Sequence, residues 1–75
     1  MKIILSRHAK RRAKLYGIPE STVTDILEHM NLHQGEHELI KDVSGIEYVL
    51  KIVVSVEKDI ITVITNYPLK KGRKQ

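Results

Sequence analysis

Apolar residues recur along this chain with two different periods. Between Arg7 and Asn31 the spacing is helical. Ala9, Ala13 and Tyr16 stand at i, i+4, i+7, and Val23, Ile26, Leu27 and Met30 follow at i, i+3, i+4, i+7. Ser6 supplies an N-cap and Gly17 a stop, so the pattern predicts a first helix over Arg7–Tyr16. Pro19, whose missing N–H costs nothing at a first helical position, opens a second helix that Asn31 ends. Gly17-Ile18-Pro19 joins the two as an αα-hairpin.

On either side of the helices the pattern is that of strands. Lys2–Leu5 is short, apolar and β-branched, suited to a brief edge strand, and Gly35–Lys41 reads as a polar edge strand. Asp42-Val43-Ser44-Gly45 is a turn into a long strand, Ile46–Val56. Its Tyr48, Leu50, Ile52, Val54 and Val56 share one face, under the helices, and Glu47, Lys51 and Ser55 share the other. Glu57-Lys58-Asp59 turns into Ile60–Tyr67, and Pro68, which has no ladder donor, is expected to stop the sheet. The expected fold class is therefore α+β, in the order β-α-α-β-β-β. Two N-terminal helices pack on one face of a three- or four-stranded antiparallel sheet, and the other face stays open.

Charge adds a second pattern to this one. All nine carboxylates lie between Glu20 and Asp59, while residues 1–16 carry six cations and residues 68–75 carry four, with no acid in either block. The stretch 17–67 holds three cations against nine carboxylates, a net of −6. If the fold brings the two basic ends together, they make one cationic surface able to hold a polyanion. At 75 residues the chain is read as one domain, 1–75, with 69–75 a flexible basic tail. Three tyrosines and no Phe or Trp argue against an aromatic platform for single-stranded bases. Without cysteine there are no disulfides and no thiolate chemistry. Ile3-Ile4-Leu5 is too short for a signal core or a membrane span, so the expectation is a soluble, cytoplasmic protein with no membrane partner.

Three clusters hold side chains capable of chemistry. On the first helix His8, Arg11 and Arg12 share a face. An imidazole can carry a proton near neutral pH while guanidinium groups hold phosphate charge, a combination suited to phosphodiester cleavage. The plainer reading is a histidine that packs or caps at the helix start. The second cluster, Asn66-Tyr67-Pro68 followed by Lys70, Lys71, Arg73 and Lys74, places a phenol beside a cationic tail. Such tails also serve only solubility. His29, His33 and His37 are spaced by four, but the helix is expected to end before the second, so they read as surface loop histidines and no metal is expected. There is no Gly-rich phosphate loop and no nucleophile elbow, and no cofactor is expected.

The Arg7-His8-Ala9 opening, the Arg11/Arg12 pair, Tyr16-Gly17-Ile18 and the closing Thr65-Asn66-Tyr67-Pro68-Leu69-Lys70-Lys71-Gly72-Arg73-Lys74 resemble a group of small bacterial and archaeal domains. That group pairs an R-H-A-x-x-R-x-x-x-x-G-I helix with a T-x-Y-P-x-K-K-G-R end. It is similar in architecture to the RelE/ParE-like toxins of the barnase–colicin–RelE ribonuclease fold. The resemblance implies a toxin that cleaves RNA without metal and is neutralised by an antitoxin protein. His8 would carry the proton, Arg12 with Lys70 or Lys71 would stabilise charge, and Tyr67 would orient or protonate. Arg7, Arg11, Lys51, Lys71 and Arg73 would contact RNA. The alternative on the same fold is a non-catalytic RNA-binding, ribosome-binding or protein-interaction module. Oligomeric state stays open.

Overall fold

The computed structural model describes residues 2–42 and 48–70, with only the backbone described for Tyr48 and Lys70. The elements are β1 (Lys2–Leu5), α1 (Arg7–Leu15), α2 (Glu20–Glu28), β2 (Gly35–Asp42), β3 (Tyr48–Glu57) and β4 (Ile60–Lys70). The fold is α+β, and both helices contribute to a single buried layer against one sheet face. That layer holds Ala9, Ala13, Ile18, Val23 and Leu27 from the helical segment and Leu50, Ile52, Val54 and Val56 from β3. The two alanines let α1 lie close to the strands. Tyr16, expected in that stripe, is 44 % exposed at the C-cap, and buried Ile18 takes its place.

The strand order is β1-β4-β3-β2. β2–β3 and β3–β4 are antiparallel, but β1 runs parallel to β4, with Lys2 opposite Ile60 and Leu5 opposite Val63. The sheet is therefore mixed rather than antiparallel. Hairpins fix the direction of β2 through β4, whereas two helices separate β1 from its partner and no turn dictates its direction. The expected turn at 43–45 and strand start at 46–47 lie outside the described residues.

Two irregularities in β4 position the rest of the molecule. Val54 pairs with Val63 but Val53 pairs with Thr65, so Ile64 is an extra residue, a β-bulge. Ile61 and Val63 point into the core, and strict alternation would bury Thr65 and Tyr67 next. The bulge shifts the phase by one, so Asn66 is fully buried instead. The strand also continues through Pro68, which lies opposite Leu50, to Lys70. The expectation that Pro68 and Leu69 leave the sheet is corrected: β1 covers β4 only from Ile60 to Val63, and an edge strand tolerates a proline.

Ser6 secures the bulge to the helix. Its Oγ accepts from the Ala9 N–H at 3.0 Å, capping α1, and donates to the Ile64 carbonyl at 2.9 Å. Its own N–H donates to the Val63 carbonyl at 3.0 Å. At the opposite end of β4, the side chain of Gln34 pairs with the backbone of Lys58 like an added strand residue. Its Nε2 donates to the carbonyl at 3.0 Å, and its Oε1 accepts from the N–H at 2.7 Å. Lys58 itself adopts φ +55° to close the β3–β4 turn.

Candidate functional site

Helix α1 divides its polar side chains between two flanks. Arg7, Lys10, Arg11 and Lys14 stand at i, i+3, i+4, i+7 and line one shallow groove of about 540 Å3 together with Ala13, Ile18 and Glu20. All four cations are exposed, and α1 has no acid in its first turn to offset them. On an α-helix this spacing makes a straight stripe about 10 Å long. The sequence grouped Arg11 with His8 and Arg12, but the groove takes Arg11 and leaves those two out. His8 is exposed, and Arg12 donates from Nη1 to the Tyr16 hydroxyl at 3.4 Å, a long bond that keeps the guanidinium along the helix.

Asn66 holds α1 against β4. Its Nδ2 donates to the Ala9 carbonyl at 3.2 Å, while its buried Oδ1 has no partner. Its neighbour Tyr67 points the opposite way, onto the sheet face that carries no helix. There Lys51 lies opposite Tyr67 in register, with its ammonium 5.9 Å from the ring centroid and 3.2 Å from Glu38 Oε1. The hydrogen bond to Glu38 comes first in raising the Lys51 pKa above the usual lysine range, with a smaller contribution from Tyr67.

The residues expected to form one centre are thus divided by the sheet: His8 and Arg12 are on the helical side and Tyr67 is on the open side, beside Lys51, which was expected on that open face. Lys70 ends β4 opposite Tyr48, and Lys71 and Arg73 lie outside the described residues. The bulge at Ile64 is the physical cause of this division. Lys10, Lys14 and Glu20 were not picked out from the sequence as site residues, and Asn66 was named only as the start of the Asn66-Tyr67-Pro68 cluster, with no role of its own. The stripe did have a signal there, the same i, i+3, i+4, i+7 spacing read for the apolar face of α2, whereas the burial of Asn66 had none.

His29 Nδ1 donates to the Asp25 carbonyl at 2.8 Å and His37 Nε2 to the His33 carbonyl at 2.7 Å, so two of the three spaced histidines have a ring nitrogen engaged by the backbone. No three His, Asp or Glu side chains converge as a metal-ligand set among the described residues. No described helix is long and apolar enough to cross a membrane. The chain matches no family model, no curated protein and no solved structure.

Proposed function

We propose that this chain is an RNA-binding domain that grips the sugar–phosphate backbone along helix α1. The observation that carries the reading is the stripe of Arg7, Lys10, Arg11 and Lys14 on one flank of a single helix, all exposed and lining a common groove. Lysine and arginine side chains at such spacing neutralise successive phosphates and release their counterions. Arg7 and Arg11 can bind a phosphate through two N–H groups at once, while the lysines act as point charges.

The test is the salt dependence of binding to a single-stranded RNA oligonucleotide. Four phosphate contacts on a single strand give a slope of log affinity against log salt of about −2.8, or roughly a fifty-fold loss between 50 and 200 mM salt. Replacing the four cations by alanine, the best helix former, leaves α1 intact and should bring that slope close to zero. A slope unchanged by the four substitutions would refute the reading.

A second reading, that the bound RNA is also cut, is favoured by His8. Its side chain is exposed and makes no hydrogen bond with a described residue, and it sits one turn from Arg12 on the helix that carries the stripe. In that reading His8 takes the proton of a ribose 2′-hydroxyl, whose oxygen attacks the adjacent phosphorus. The P–O5′ bond breaks and the departing 5′-oxygen takes a proton from solvent, leaving a 2′,3′-cyclic phosphate and a 5′-hydroxyl. Arg12 stabilises the charge on the phosphorane. A toxin acting this way would be silenced by an acidic partner covering the stripe. Incubation of RNA with excess chelator should then give cyclic-phosphate ends with the wild type and none with His8→Ala, whereas intact RNA with both leaves binding alone.

A further inference from the structure

One carboxylate lines the cationic groove, and the turn between the helices puts it there. Gly17 adopts φ +68°, a region open to glycine, and the Ile18 N–H donates to the Ala13 carbonyl at 2.8 Å. Ile18 is thereby buried, and the chain returns with Glu20, the first residue of α2, facing the groove of Arg7, Lys10, Arg11 and Lys14. The Glu20 side chain is exposed and forms no hydrogen bond or ion pair with a described residue. An acid in the first turn of a helix is favoured by the helix dipole, which accounts for the residue type. It does not account for a free acceptor in a groove built to hold anions.

Toward a bound phosphate Glu20 is repulsive unless the ligand brings a hydrogen-bond donor to the same place. A ribose offers one beside each phosphodiester, its 2′-hydroxyl, and a deoxyribose does not. We propose that Glu20 is the specificity-determining residue of the groove. It accepts a hydrogen bond from the 2′-hydroxyl of a strand whose phosphates lie on the α1 stripe, and so selects RNA over DNA. The inference rests on the RNA-binding reading above and adds a sugar preference to it. The groove supplies donors for the phosphates and one charged acceptor for the sugar. DNA meets the same carboxylate without a donor and is repelled.

The experiment compares three oligonucleotides of the same length and base: oligouridylate, its 2′-deoxy counterpart and its 2′-O-methyl counterpart. The methyl ether keeps a ribose-like sugar but has no 2′ donor. A hydrogen bond to an ionised acceptor supports a preference of about tenfold or more for oligouridylate over both analogues. In Glu20→Ala that preference should collapse to about one, the analogues binding more tightly and oligouridylate more weakly. Glu20→Gln, nearly isosteric at an exposed position, keeps an acceptor without the charge and should fall between, with an unchanged circular dichroism spectrum. Equal wild-type affinities for all three, or a preference that survives Glu20→Ala, would overturn the role of Glu20. If the salt slope still depends on the stripe in that case, backbone binding stands without sugar selection. If none of the three oligonucleotides binds, both readings fall.

Discussion

Asn66→Asp is the sharpest test of how the candidate surface is held. Asn66 is fully buried between α1 and β4, where its Nδ2 donates to the Ala9 carbonyl and its Oδ1 has no donor. A carboxylate there would place an oxygen that only accepts against a carbonyl, without water and without a counter-charge. The protonated acid, in contrast, carries an O–H that can donate to Ala9 in the amide's place. Burial without a partner raises a carboxyl pKa by about 3 units or more. At about 1.36 kcal/mol per unit this costs about 4 kcal/mol at pH 7. A domain of this size has a total stability of about 4–11 kcal/mol, so the variant should lose between about a third and all of it at neutral pH.

The pH dependence has a definite sign. The folded-state pKa is raised, so the folded protein binds the proton more tightly than the unfolded chain. The penalty is absent below the unfolded value of about 3.9, grows as pH rises toward the folded value, and is flat beyond it. Urea denaturation of wild type and variant at about pH 4, 5.5 and 7 reads the difference directly. Asn66→Ala serves as the control, since it removes the same hydrogen bond but adds no titrating group. Its deficit should be constant with pH. An Asn66→Asp deficit that is equally constant would show that the site is open to water and would refute the packing argument.

Three other perturbations probe the supports of the same surface. Ser6→Ala removes both the cap on Ala9 and the bond to the bulged Ile64 carbonyl and should lower stability by about 1–2 kcal/mol, with hydrogen exchange of the first α1 turn rising more than that of β3. Gln34→Ala loses two bonds to the Lys58 backbone and should cost about 1 kcal/mol. Lys58→Gly, relieving the positive φ in the same turn, should recover about 0.5 kcal/mol by thermal melting. Because the Lys51 pKa is raised, first by Glu38 and then by Tyr67, its contribution is complete below about pH 10.4 and is lost only as pH climbs through the higher folded value. The stability difference between wild type and Lys51→Met should therefore be flat from about pH 6 to 10 and shrink above that. A change across neutral pH would point to a different partner.

Local physics made much of this fold legible. Ser6 as a cap, Gly17 as a stop, the Val23/Leu27 face and the alternation of Leu50, Ile52, Val54 and Val56 all depend on neighbours within a few residues, and each appears where the spacing puts it. The segregation of charge and the stripe from Arg7 to Lys14 are likewise written in the order of residues. What the tertiary structure alone decided depends on contacts between distant segments. β1 runs parallel to a strand some 58 residues away, a choice no turn between them encodes. The bulge at Ile64, held by Ser6 at the end of the neighbouring strand β1, reverses which of Asn66 and Tyr67 is buried. One residue of phase places Tyr67 on the face away from His8. The return of the chain through Gly17 sets Glu20 among four cations that lie six to thirteen residues earlier. Composition and periodicity supplied the charged groups, and long-range pairing determined which of them share a surface.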